Sequence, residues 1–343
     1  MNLEQLESVA QAMVQPGKGI LAADESSGTI QRRLEGVGAE STEENRIAWR
    51  SLICTAEGLG EYISGVILFD ETLRQDTNDG RRMVEALQAQ GIIPGIKVDT
   101  GAKDLPGSPD EKVTEGLDGL RERLAEYVAL GAQFTKWRAV ITIGADIPTS
   151  NCINVNAHGL ARYAALSQEA GLVPIVEPEV LMDGDHDIDR CFEVTEAALR
   201  QVFIELASQG VALSGMVLKP NMVLSGKEAV NRASPEVVAE KTITCFQRAF
   251  PAAVPGAAFL SGGQSDDEAT TNLDAINRSN LDKPWQLSFS YGRGLQALPL
   301  AAWGGDPANV GAAQAALLHR ARMTATARQG AYSPEMEKEL ATA

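Results

Sequence analysis

Short apolar runs alternate along this chain with longer stretches in which apolar residues return every third or fourth position. Eight runs, over 19–24, 63–69, 92–98, 134–140, 173–177, 213–219, 257–261 and 286–290, predict buried or half-buried strands. Helices are predicted between them, over 81–90, 119–130, 157–170, 188–207 and 235–249. Leu3, Leu6, Val9, Met13 and Val14 add a helical stripe ahead of the first strand. Strands that alternate with helices pair in parallel through crossover helices. Eight of them in 343 residues predict an α/β chain closed as one (β/α)8 barrel, in preference to an open doubly wound sheet.

Length alone would allow two domains, but no linker, repeat or composition shift divides residues 1–343, so one barrel domain is expected. The segment 322–343 is polar and lacks a core stripe beyond its first turn. It is expected to form a mobile C-terminal tail or to lie across the surface.

A net charge of −16 argues against nucleic acid and anionic membrane surfaces as main partners. An anionic substrate would need local cations that outweigh this field. Cys54, Cys152, Cys191 and Cys245 are far apart and form no CxxC pair, so reduced core thiols are expected. The first residues carry Glu4 and Glu7 and no cation before Lys18, unlike a signal or transit peptide. No apolar run is long enough to span a bilayer. A cytoplasmic protein, or one processed into an organelle, is expected.

The chemistry gathers where the apolar runs end. Lys219 closes the run VALSGMVLK, and desolvation there lowers a lysine's pKa and makes it a candidate amine nucleophile. A second cation beside it, such as Lys136, would lower that pKa further. Asp24 closes GILAAD. Lys97 and Asp99, Lys136 and Arg138, and Glu177 and Glu179 are pairs two residues apart, so each pair shares one face of its strand. In a barrel these groups meet at the C-terminal mouth. A single such residue would read as an ordinary charged loop position; the recurrence does not. A neutral amine attacking a ketone gives a carbinolamine and then an iminium, an electron sink for breaking a neighbouring carbon–carbon bond. Glu177, Glu179 and Asp24 are the candidates for moving protons.

Two glycine-rich turns follow the last two strands. Ser261-Gly262-Gly263 and Ser290-Tyr291-Gly292-Arg293-Gly294 offer backbone N–H groups and one guanidinium, which suits phosphate. Other matches are weak. GKGILA at 17–22 precedes a strand where a dinucleotide motif would follow one. DGDHDID at 183–189 has Arg190 where a calcium loop needs glycine. His158, His186 and His319 have no metal-ligand spacing and no nearby cysteine ligands, so no catalytic zinc is expected, and no motif calls for a cofactor.

Over roughly 17–331 the chain resembles the class I, Schiff-base-forming fructose-1,6-bisphosphate aldolases. The resemblance rests on GKGILAADES, GVILFDETL, GIKVD, KWRAV, IVEPE, DGDHD, VLKPNMV, FLSGGQS, SFSYGR and AWGG, in that order. It implies a (β/α)8 barrel and metal-independent, reversible cleavage of fructose 1,6-bisphosphate to two triose phosphates. The pathway would be glycolysis, gluconeogenesis or the Calvin cycle, and the assembly a homotetramer. By resemblance, Lys219 is the Schiff-base lysine and Glu177 the acid/base for dehydration and cleavage. Glu179 positions the lysines, Asp24 serves the C4 hydroxyl, and Lys136 stabilises charge near C2 and C4. Ser261, Gly262 and Arg293 would hold the C1 phosphate, with Gly292 a further substrate-binding position, and Ser26, Arg33, Lys97 and Arg138 the C6 end.

The chain departs from the animal members in two places. They end in a tyrosine that helps protonate the enamine, where this sequence runs Glu339 to Ala343 and its nearest tyrosine is Tyr332. They also commonly carry histidine where Asp70 stands. Two other readings compete: a lysine-dependent barrel of the transaldolase or deoxyribose-phosphate aldolase type, and an idle barrel serving as a scaffold. Two phosphate seats favour a bisphosphate over the first, and the presence of both Lys219 and Glu177 weighs against the second.

Overall fold

The computed structural model describes residues 2–342. Eight parallel strands close into a barrel: β1 (Gly19–Ala23), β2 (Ile63–Leu68), β3 (Ile93–Lys97), β6 (Phe134–Ile141), β7 (Val173–Val180), β8 (Val217–Leu218), β9 (Gly256–Phe259) and β10 (Gln286–Tyr291). The ring runs β1-β10-β9-β8-β7-β6-β3-β2 and returns to β1, with helices between the strands. The expected (β/α)8 barrel and N-terminal helix are therefore present.

Two apolar layers hold the barrel. Inside, Ile20, Ile67, Phe134, Ile175, Val217 and Ala258 form one cluster with Leu6, Ala10, Met13 and Val14. The N-terminal helix Leu3–Met13 thus buries its stripe against the barrel interior at the end where the strands begin. Phe134 fills the space beside Gly95, where a Cβ would collide with its ring. Outside, the strands' other faces pack on the helices in one large cluster.

Two expectations need correction, and one element was not foreseen. The sixth apolar run, 213–219, does not form a full strand. Leu213–Gly215 is a 3₁₀ turn, and only Val217–Leu218 joins the ladder. Gln168 explains this, because its Nε2 donates to the Ala212 and Gly215 carbonyls at 2.8 and 3.1 Å and holds that backbone out of the sheet. An antiparallel hairpin, β4 (Gly101–Asp104) with β5 (Lys112–Glu115), stands between β3 and β6 and was not anticipated. Finally, Arg322–Arg328 are not tail: they complete the helix Val310–Arg328, with Met323, Ala325 and Ala327 buried. That helix is covered on several sides, so no single stripe marks it.

Candidate active site

β6 and β7 are the longest strands, and their register sets the site. Lys97, Lys136 and Ile175 lie side by side across β3, β6 and β7, with Arg138 opposite Glu177 two residues further on. β7 continues through Pro178 to Val180, past the expected end at Glu177, so Glu179 is also strand-borne. Lys219 directly follows β8, where its N–H donates to the Val176 carbonyl at 2.8 Å. Asp24 directly follows β1. Every site residue expected from the sequence lines one cavity of about 420 Å³ at the strands' C-terminal ends.

Glu177 is the hub. One oxygen lies 3.0 Å from Lys219 Nζ and the other 3.4 Å from Lys136 Nζ. Lys136 also reaches Asp24 Oδ2 at 2.6 Å. Lys136, Glu177 and Lys219 are each at most 4% exposed. Burial alone would raise the carboxyl pKa values of Glu177 and Asp24. The surrounding cations outweigh it: Lys219, Lys136 and Arg138 for Glu177, and Lys136, Lys219 and Lys97 for Asp24. Both carboxyls are held below their usual range. Lys136 is the mirror case, since burial would lower its pKa but Asp24, Glu177 and Asp99 hold it charged. The cation expected to act on Lys219, Lys136, shares a carboxylate with it.

The outer groups are paired as well. Arg138 Nε bonds Glu179. Lys97 lies 3.2 Å from Asp99, whose other oxygen accepts the Arg138 N–H. Arg33 bonds Glu25, which Arg50 and Gln296 also hold at 2.5 and 2.8 Å. The resemblance grouped Arg33 with Lys97 and Arg138. Its guanidinium also comes near the turn after β10, 3.9 Å from where a Cβ on Gly292 would stand.

The turn after β10 borders the cavity together with the turn after β9. Gly292 precedes the helix Arg293–Trp303, so free N–H groups and the positive end of a helix face Ser261 and Gly262. Gly262 has φ +55°, a backbone shape that glycine adopts without strain. Arg293 donates to the Gly262 carbonyl at 2.6 Å and, among the described residues, makes no ion pair. Ser290 Oγ is buried in the cavity wall without a hydrogen-bond partner. Ser26 stands ahead of the helix Ser27–Glu35 with its hydroxyl 3.3 Å from Thr29 Oγ1, so it leaves that helix start uncapped.

Seven lysines and arginines and six carboxylates line the cavity, a positive excess in a chain of charge −16. Sequence reading missed Glu25, Asp183 and Lys227 among them. Glu25 was hidden by its neighbour Asp24. Asp183 and Lys227 lie in loops where no strand parity marks a face. The histidines stay apart: His158 bonds Glu205 and His319 bonds Glu337. Of the other DGDHDID carboxylates, Asp187 caps the helix Ile188–Ser208 and Asp189 pairs with Lys241. All four cysteines are buried and free. Tyr332 is buried, with its hydroxyl 3.1 Å from Glu337, and does not line the cavity. No helix among the described residues is long and apolar enough to cross a membrane.

Comparison with known proteins agrees over nearly the full chain. Residues 5–343 match the family described as fructose-bisphosphate aldolase class-I. A probable fructose-bisphosphate aldolase class 1 of Xanthomonas campestris is 56% identical, with 97% of this chain and 99% of that protein covered. The chloroplastic fructose-bisphosphate aldolase 1 of Pisum sativum is 52% identical, with 98% and 95% covered. The Plasmodium falciparum fructose-bisphosphate aldolase, solved in complex with TRAP and a small-molecule inhibitor, superposes with a TM-score of 0.95. It is 48% identical, with 96% of this chain and 95% of that one covered.

Proposed function

The chain belongs to the class I fructose-bisphosphate aldolase family of carbon–carbon lyases, and from that premise we propose that it works through a Schiff base on Lys219. The reaction is the reversible cleavage of fructose 1,6-bisphosphate to dihydroxyacetone phosphate and glyceraldehyde 3-phosphate. The observation that carries this reading is Glu177 shared between two buried lysines, at 3.0 Å from Lys219 and 3.4 Å from Lys136.

A buried ion pair is costly once water is stripped from it. As Lys136 turns toward the substrate oxygens, Glu177 loses one of the cations that hold it ionised and takes the Lys219 proton, which leaves an amine facing a carboxylic acid. The amine adds to C2, and its N–H proton passes to the former ketone oxygen. Glu177 then protonates that hydroxyl, water leaves, and an iminium remains. Asp24 takes the C4 hydroxyl proton as the C3–C4 bond breaks. The bonding electrons flow into the iminium, giving an enamine and free glyceraldehyde 3-phosphate. Protonation at C3 and hydrolysis release dihydroxyacetone phosphate. Lys136, held charged, turns toward the substrate oxygens, which frees Asp24 to act as a base. Glu179 keeps Arg138 in place.

Ser261, Gly262, Gly292 and Arg293 take the C1 phosphate, joined by Arg33 from its position beside Gly292. Ser26, Lys97 and Arg138 take the C6 phosphate. By family resemblance the enzyme is a cytoplasmic homotetramer that serves glycolysis, gluconeogenesis or the Calvin cycle.

The test is borohydride reduction with fructose 1,6-bisphosphate, read by mass spectrometry on wild type and Lys219→Met. A substrate-sized adduct on wild type alone, mapped to Lys219, is expected. An intact wild type that turns over substrate without trapping would overturn the mechanism.

A further inference from the structure

The Lys227 side chain crosses the Gly262–Gly263 turn. A Cβ placed on Gly263 would collide with Lys227 Cε and stand 2.8 Å from its Nζ. The ammonium therefore lies against the same turn that Arg293 approaches through the Gly262 carbonyl. Its position is built. The backbone N–H groups of Gly226, Lys227 and Glu228 donate to His186, Met182 and Gly184, which zips the loops after β7 and β8 together. Asp183, also in the cavity wall, holds the ammonium at 3.1 Å. Both side chains keep solvent access, with 40% of Lys227 and 64% of Asp183 exposed.

We propose that Lys227 is a further substrate-binding residue, whose ammonium leaves Asp183 and closes on the phosphate seated at Ser261, Gly262 and Arg293. This rests on the aldolase reading of the site. A sugar phosphate carries about −1.5 to −2 at pH 7 with three acceptor oxygens. Asp183 offers one negative charge in a solvated position, where an ion pair is weak. Arg293 cannot neutralise a dianion alone, and Arg33 is shared with Glu25. A lysine on a flexible stem over the glycine turn supplies a movable point charge.

The experiment compares wild type, Lys227→Met, Lys227→Arg and Asp183→Asn in the condensation direction, alongside calorimetric titration with dihydroxyacetone phosphate. For Lys227→Met, KM and Kd for dihydroxyacetone phosphate should rise about 3- to 10-fold, more than any fall in kcat. KM for glyceraldehyde 3-phosphate should stay within twofold. Lys227→Arg should recover at least half of the lost affinity, and Asp183→Asn should bind as tightly as wild type or tighter. Unchanged dihydroxyacetone phosphate parameters in Lys227→Met, with an active wild type, would overturn the role of Lys227 alone. An equal rise for both triose phosphates would overturn it too, as the mark of a general structural defect. A folded wild type that neither turns over nor binds dihydroxyacetone phosphate would overturn the aldolase reading and this inference with it.

Discussion

Glu25 follows Asp24 in sequence and serves different partners. Asp24 joins the lysines, while Glu25 holds Arg33, Arg50 and Gln296, and Gln296 in turn accepts from Trp49 Nε1 at 3.2 Å. Arg50 is 3% exposed, so its charge depends on Glu25. Burial would raise the Glu25 pKa, but Arg50 and Arg33 outweigh it and hold the carboxyl below its ordinary range. Glu25→Gln leaves a buried guanidinium without its counterion, which should cost about 3 kcal/mol of stability. Urea unfolding checks this, and a loss under about 1 kcal/mol would show that Arg50 finds water instead. Residues of this kind explain what the sequence hid. Lys219, Glu177 and Lys136 were legible because an ionisable group inside or beside an apolar strand has few structural excuses. Glu25 and Lys227 needed three-dimensional neighbours before their charges meant anything.

Among the elements, the last α-helix carries a staple that the sequence concealed. Arg328 donates to the Val14 carbonyl at 2.5 Å, to the Gln15 carbonyl, and to Gln286 Oε1 at 3.1 Å. It ties the end of the N-terminal helix to the start of β10 and to the helix Val310–Arg328. Burial lowers its pKa to about 10, and no carboxylate pairs with it among the described residues. A buried charge is unfavourable, yet two chain carbonyls depend on it. Hydrogen bonds to a charged donor contribute about 1.5–3 kcal/mol each, so the bonds win. Arg328→Met should lose about 2 kcal/mol in chemical denaturation while kcat stays unchanged, because the staple lies at the end of the barrel opposite the site. A stability equal to wild type would show that the charge penalty cancels the bonds. The segment read as tail because its residues are small or polar. Thr324, Ala325, Ala327 and Arg328 are buried by contact with several neighbours, and periodicity reports only one-sided burial. β8 failed in the opposite sense: its apolar run was visible, but the side-chain bonds from Gln168 that shorten it come from a distant helix. The barrel itself was legible because eight apolar runs left little else for the helices between them to cover.

At the scale of the molecule, the buried charges set where the fold survives. Asp24, Glu25, Glu177 and Glu337 all titrate below their ordinary values. For Glu337 burial opposes the shift, and the bonds to Arg320 and His319 overcome it. A carboxyl with a depressed folded pKa contributes stability above its unfolded value of about 4–4.5, and that contribution is lost as pH falls toward the folded value. Asp266, raised by burial, works the other way, as one group against four. At the alkaline side, burial pushes Cys54 and Cys245 up to about 12 and Cys152 up to about 11. The unfolded chain releases those protons near pH 9 while the folded chain keeps them, so stability falls again as pH rises further. Unfolding free energy measured by urea between pH 3 and pH 11 should therefore show a plateau from about 5 to 8.5 with a loss on each side. The acid loss should shrink in Glu337→Gln, which has already surrendered one of the depressed carboxyls. A profile that stays flat down to pH 3 would mean that protonation of the buried site is absorbed locally, without cost to the barrel.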